Sequence, residues 1–175
     1  MQDKQRISVR TITYLALLVA LEIVLNRFCS INTAGLKIGF SFVPIVVAAS
    51  LFGPVHAAVV YGLADLLGAI LFPIGTYHPG FTLCAALMGL IYGFFLHSKN
   101  GRVDFLRILA PALINNLVLG LCVNTLWVAM LYGSKTYIGW FLYRLSEYLI
   151  LIPLNLLLTP VLLRMCRELK KSVIK

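Results

Sequence analysis

The chain has 175 residues, 61% of them hydrophobic and 12% charged, where a soluble domain runs at roughly 45–50% and about 25%. With a mean hydropathy of +0.94, this excludes a soluble globular domain, a disordered chain and a coiled coil, and calls for lipid around much of the surface. The net charge of +9, from 15 basic and 6 acidic residues, would suit nucleic acid in a soluble protein, but here its placement points to membrane topology and lipid headgroups.

A spanning helix needs ~20 apolar residues, so this length accommodates six and leaves ~55 residues for loops and tails, with no room for a soluble catalytic domain. Lys4, Arg6 and Arg10 surround the start of helix 1, expected over Val9–Arg27. No small-x-small cleavage site follows it, and Arg27-Phe28 before Cys29 does not suit lipoprotein processing, so it reads as a retained helix. Residues 28–40 are expected as a loop. Helix 2, Ser41–Phe52, is short and holds Pro44, which predicts a kinked, tilted or incompletely spanning segment. Gly53-Pro54 makes a tight turn into helix 3, Val55–Phe72. The turn-rich stretch Pro73–Gly80 leads to helix 4, Phe81–His97, and Ser98–Asp104 is a polar, basic loop. Helix 5 covers Phe105–Tyr132 with Pro111 near its start, Gly133–Tyr137 is a loop, and helix 6 covers Ile138–Met165.

Eleven of the 15 basic residues fall in three clusters: the N-terminal three, then Lys99, Arg102 and Arg107, then Arg164, Arg167, Lys170, Lys171 and Lys175. The positive-inside rule places all three in the cytoplasm. The expected fold is therefore an all-α integral membrane protein, a single domain over residues 1–175, with six transmembrane helices and both termini cytoplasmic. Loops 28–40, 73–80 and 133–137 then face outward.

The cysteines Cys29, Cys84, Cys122 and Cys166 are widely spaced, with no CxxC or Cys/His ligand spacing, so neither a metal site nor a disulfide framework is expected. Small residues recur every four positions: Ala16 and Ala20, Ala64 and Gly68, then Ala85, Gly89 and Gly93. Such faces allow close helix approach, within the bundle or against a partner. Spacing alone favours the bundle.

Charges inside a bilayer usually face a cavity or one another. Glu22, Asp65, Arg144 and Glu147 all fall in the expected outer half. They read as a polar pocket that opens outward without a through-pore, or as structural ion pairs, with Arg144 and Glu147 at i,i+3 spacing. Asn116, Gly120, Asn124 and Trp127 fall near one face of helix 5. Tyr143, Arg144, Glu147, Tyr148, Leu151 and Asn155 do so on helix 6. Such faces suit a flat, hydrogen-bonding heterocycle, and equally suit interhelical bonding and interfacial aromatics. Nucleotide-loop, zinc-protease, nucleophile-elbow and paired-Asp metal motifs are absent. His56, His78 and His97 lie near loop ends and read as solvated or structural rather than catalytic. No enzyme activity, cofactor or metal is expected, and any ATP-driven function needs other chains.

Four segments carry a resemblance: Leu-Lys-Ile-Gly-Phe-Ser-Phe-Val-Pro (36–44), Leu-Phe-Gly-Pro (51–54), Gly-Leu-Ala-Asp-Leu-Leu-Gly (62–68) and Phe-Pro-Ile-Gly-Thr-Tyr-His-Pro-Gly-Phe-Thr-Leu (72–83). With Ala16-Leu-Leu-Val-Ala20, which matches an AxxxA pattern, they resemble the substrate-binding (S) components of energy-coupling factor vitamin transporters, and among these the folate family. His78 stands where that family's pattern has an aromatic such as phenylalanine.

The resemblance implies high-affinity binding of folate or reduced folates at the outer face of a bacterial plasma membrane, for ATP-driven uptake. Another vitamin or a queuosine precursor is the alternative. It implies a transmembrane coupling subunit and two ATP-binding-cassette ATPases as partners, besides lipid, and no nucleic acid. Ala16 and Ala20 become docking residues for the coupling subunit, the loop between helices 1 and 2 helps to close the site, and the protein topples to release its ligand inside. The implied substrate-binding residues are Arg27, Asp65, Thr76, Tyr77, His78, Asn124, Trp127, Arg144 and Glu147. Arg144 would meet the glutamate-tail carboxylates, because Arg27, Lys37 and Lys135 sit in or beside loops. Asp65 would meet the pterin, or serve as a structural partner.

Overall fold

The apolar runs fold as helices because a helix satisfies its own backbone N–H and C=O groups where water is absent. The computed structural model describes residues 8–33, 36–98, 104–133 and 136–173. Lys4, Arg6, Gly35, Lys99, Arg102, Lys135 and Lys175 lie outside the described residues. Among the described residues six helical rods follow in order: α1 (Val9–Arg27), α2 (Phe42–Phe52), α3 (Pro54–Leu71), α4 (Pro79–Leu96), α5 (Phe105–Tyr132) and α6 (Tyr137–Val173). Five are long and apolar enough to cross a membrane. The exception, α2, has 11 residues. It rises about 16 Å, roughly half the hydrocarbon thickness. Pro44 is the third residue of α2, where the backbone N–H has no helical partner to lose, so the helix is short without being broken there.

The segment expected as a plain loop between α1 and α2 is a hairpin. β1 (Ile31–Thr33) and β2 (Leu36–Ile38) pair antiparallel, with Ile31 opposite Ile38. Ile31, Thr33 and Ile38 are β-branched and favour a pleated strand, a bias that helical periodicity does not register.

The core is built around α2. Ile45, Val46, Ala48 and Ala49 are fully buried and packed with Leu18 of α1, Val60 of α3, Leu96 of α4 and Leu163 of α6. Glycines let α4 lie directly on α3. A Cβ on Gly89 would meet the Ala57 carbonyl, and one on Gly93 would run into the Pro54 backbone. The small-residue stripes therefore serve two ends. Ala64, Gly68, Ala85, Gly89 and Gly93 are buried in the bundle, whereas Ala16 and Ala20 are exposed on α1.

Helix α5 departs from regular winding. Pro111 removes one backbone donor and its ring crowds the carbonyl a turn earlier. Ile114–Val123 then continues as a π-helix, with i→i+5 bonding, before α-helical winding resumes at Asn124. In an α-helix a four-residue step overshoots a full turn by about 40°. The wider π turn reverses the sense of that drift, and Asn116, Gly120 and Asn124 all reach the inward wall.

The packing of α3 on α4 gives a test. Gly93→Ala should force the Pro54 end of α3 away, at a cost of about 1–3 kcal/mol, whereas Ile70→Val on the exposed face of α3 should change stability by less than about 0.5 kcal/mol. Thermal unfolding in detergent measures both, and equal midpoints would contradict the close packing.

Candidate functional site

At the end of the bundle that carries the hairpin, α1, α3, α4, α5, α6 and β2 surround a cavity of about 700 Å³, within the range of small-molecule sites. Its wall mixes aromatic rings (Tyr61, Tyr92, Tyr148) with amides (Asn26, Asn116, Asn124) and charged groups.

Arg144 is the most constrained of these. It is 6% exposed, and each part of its guanidinium has a partner. Nε donates to Glu147 Oε2 at 3.4 Å, one Nη to Thr125 Oγ1 at 3.2 Å, and the other Nη to the Tyr148 hydroxyl at 2.9 Å. The Tyr148 ring lies under the guanidinium, with Cζ 5.6 Å from its centroid, and reaches that place because residue 120 is glycine. A Cβ there would stand 2.7 Å from the ring. A guanidinium has five N–H donors, and these bonds use three. The two left over are on the Nη atoms, the side of the fork that grips a carboxylate through parallel bonds. Glu147 does not occupy that side. Its carboxylate also accepts from the backbone N–H of Lys37, so it joins α6 to the hairpin.

Asp65 is engaged through one oxygen. Thr82 Oγ1 donates to Asp65 Oδ2 at 2.7 Å, and the Tyr77 hydroxyl stands 2.9 Å from the same Thr82 oxygen. Thr82 has a single hydroxyl proton, already given to Asp65, so Tyr77 is the donor in the second bond. This relay ties the 73–78 segment to α3 and α4.

Positive charge in the cavity is not confined to Arg144. Arg27, at the end of α1, lies against Gly68 of α3, where any side chain would crowd its guanidinium. Lys37 of β2 lines the same cavity. Burial pushes the Lys37 ammonium down to about 8, with repulsion from Arg27 adding to it and Glu22, Asp65 and Glu147 opposing.

Seven of the nine expected substrate-binding residues line the cavity: Arg27, Asp65, Thr76, Tyr77, Asn124, Arg144 and Glu147. His78 and Trp127 are not among its lining residues. Their rings stack on each other at 4.7 Å and 22°, and His78 Nδ1 accepts from the Gly80 N–H at the start of α4. Gly80 is tight against the Trp127 ring. Both rings thus help to fasten the 73–80 segment to α5. Sequence reasoning missed Asn26, Lys37, Tyr61, Tyr92 and Asn115 as wall residues. Tyr92 was within reach of a signal. It lies three residues past Gly89 on α4, and its hydroxyl donates to Asn155 of α6 at 3.1 Å. Asn115 and Asn116 both reach the wall because of the π winding, which periodicity at 3.6 cannot anticipate.

With this geometry in place, the comparisons with known proteins are consistent from sequence to fold. Residues 10–163 match the family described as ECF transporter, substrate-specific component. A protein named folate transporter FolT from Clostridium novyi (strain NT) is 37% identical over 147 residues, covering 84% of each chain. One of the same name from Leuconostoc mesenteroides subsp. mesenteroides is 25% identical over 154 residues, 86% of this chain and 82% of its own. A crystal structure of FolT bound with folic acid superposes with a TM-score of 0.79 at 32% identity, over 86% of this chain and 89% of that one. The S component for biotin from an ECF-type transporter superposes at 0.65 with 21% identity, a likeness of fold alone. The chain belongs to the family of substrate-specific components of ECF transporters.

Proposed function

We propose that this chain binds folate or a reduced folate at the outer face of a bacterial plasma membrane and supplies it to an energy-coupling factor transporter. The observation that carries this reading is Arg144, a buried guanidinium on the wall of a cavity lined by aromatics and amides, with two donors unspent. Folate is a flat pterin and an aromatic ring ending in a glutamate with two carboxylates, and it needs that combination. The named similarity to FolT proteins supports the same ligand.

The topology follows from charge. The bundle makes six passes with both termini in the cytoplasm, the short α2 accounting for one of them. The hairpin and the 73–80 segment then face outward, where the vitamin arrives. Ala16 and Ala20 face away from the cavity on exposed α1, a place suited to a coupling subunit that works with two ATP-binding-cassette ATPases.

Purified protein should bind folate one-to-one without nucleotide or partners, as read by isothermal titration. Heat with biotin, thiamine or riboflavin and none with folate would reject the ligand. Arg144→Met should weaken folate roughly ten- to a hundredfold, since hydrogen bonds to a charged group contribute about 1.5–3 kcal/mol. Pteroate, which lacks the tail, should be little affected. If Arg144 serves only to neutralise Glu147, both ligands lose equally and Glu147→Gln restores them. Ala16→Trp or Ala20→Trp should abolish uptake by cells carrying the whole transporter while folate affinity stays near wild type, because a large ring blocks close helix approach. Normal uptake by both variants would remove the docking face.

A further inference from the structure

The cavity has a second polar pole, on α1, where two buried acceptors stand beside the Arg27 guanidinium, whose Nε is likewise buried without a partner among the described residues. Glu22 and Asn26 are one turn apart on the buried face of that helix, 0% and 4% exposed. Asn26 Nδ2 donates to Glu22 Oε1 at 2.8 Å. That bond fixes which way the amide points. With the NH₂ end of Asn26 turned towards the Glu22 carboxyl, the carbonyl end is left over. Asn26 lines the cavity, and among the described residues neither its buried Oδ1 nor the buried Glu22 Oε2 has a hydrogen-bond partner. Arg27 and Lys37 are close enough to act on Glu22 electrostatically, yet neither donates to Asn26 Oδ1. Buried acceptors without donors are costly and call for a partner. Across the α1–α3 contact, Asp65 adds an acceptor with one oxygen already bonded to Thr82.

We infer that Asn26 is a specificity-determining contact whose carbonyl accepts from adjacent N–H donors on a flat heterocycle, the 2-amino-pyrimidinone edge of a pterin, and that Glu22 is the residue that positions it. The inference rests on the folate reading above and adds which end of the ligand faces α1. It also gives the buried carboxylate a role, because without Glu22 the amide could present either end. A ring with an acceptor or a methyl group at that edge would leave Oδ1 unpaired, and a site of this kind discriminates strongly against an analogue that lacks the donor.

The test uses the full chain in detergent with two ligands: folate, and folate whose 2-amino group is replaced by methyl. Wild type should prefer folate by roughly tenfold. Asn26→Ala should weaken folate by about five- to tenfold and leave the methyl analogue nearly as it was, so the preference narrows. Glu22→Gln should narrow it as well, because a carboxamide can hold the Asn26 amide in either orientation. Asn26→Ser provides the same comparison if Asn26→Ala does not fold, as read from the thermal midpoint. Equal weakening of both ligands by these variants, or a wild type that binds folate but does not distinguish the two, overturns the inference and leaves the folate reading standing. A wild type that binds neither ligand overturns the folate reading itself.

Discussion

A guanidinium cannot be held in an apolar bundle without partners, and the arrangement around Arg144 follows from that constraint. Removing a charge from water costs several kcal/mol unless each donor is met. Here three of the five donors are met, by two hydroxyls and a single monodentate carboxylate. Tyr148 must come close enough to bond and to lie under the ring plane, which requires glycine at 120 on the facing helix. Thr125 must point inward, which requires α5 to leave its π segment in the right phase. One buried cation thus accounts for a tyrosine, a threonine, a glycine and an irregular helix. A fully paired cation would have no donors left for a ligand, and an unpaired one would not stay buried.

The remaining architecture keeps a cavity open in a medium that offers no hydrophobic drive for helices to associate. Close packing is concentrated away from the cavity. The glycine and alanine stripes draw α3 onto α4, and the apolar residues of α2 fill the centre of the bundle behind the site. At the other end the hairpin and the 73–78 segment are held by polar contacts instead: Glu147 to the Lys37 backbone, and Tyr77 through Thr82 to Asp65. Few bonds of that kind are easier to exchange than a packed core, which suits an entrance and does not suit a foundation.

The helices were legible because long apolar runs between turn residues admit little else. The limits of α1 were read correctly to the residue, and the other helix ends lie within a few residues except at the C-terminal end of α6. The charged residues at depth, Asp65, Arg144 and Glu147, were legible for the same reason, since a charge in an apolar run is conspicuous. What escaped was whatever depends on phase or on distant pairing. The hairpin needs two three-residue strands to find each other, and neither is long enough to show alternation. Asn116, Gly120 and Asn124 were legible as one face, but Asn115 reaches the wall beside Asn116 across the π winding, which 3.6-residue periodicity does not anticipate. His78 and Trp127 stack on each other, a pairing of distant rings that the sequence does not display. The small-residue stripes show the same limit. Identical spacing serves a buried contact on α3 and α4 and an exposed face on α1, and only the fold separates the two.

Helix α1 carries both ends of the problem. Asn26 and Glu22 are on its buried side beside the cavity, and Ala16 and Ala20 are on its exposed side one to three turns earlier. Between Ala16 and Asn26 there is no glycine or proline, and the segment is continuous α-helix, so the residues that absorb bending elsewhere are missing. A displacement imposed at Asn26 therefore cannot be taken up inside the rod. It is taken up at the ends, where Arg27 meets Gly68 and the hairpin begins, or it moves the alanine face as a rigid body. The hairpin end is held by a few polar contacts, whereas the middle of α1 is packed through Leu18 into the core around α2. The softer of the two is the hairpin end, so a displacement at Asn26 is taken up there before it reaches the exposed alanine face.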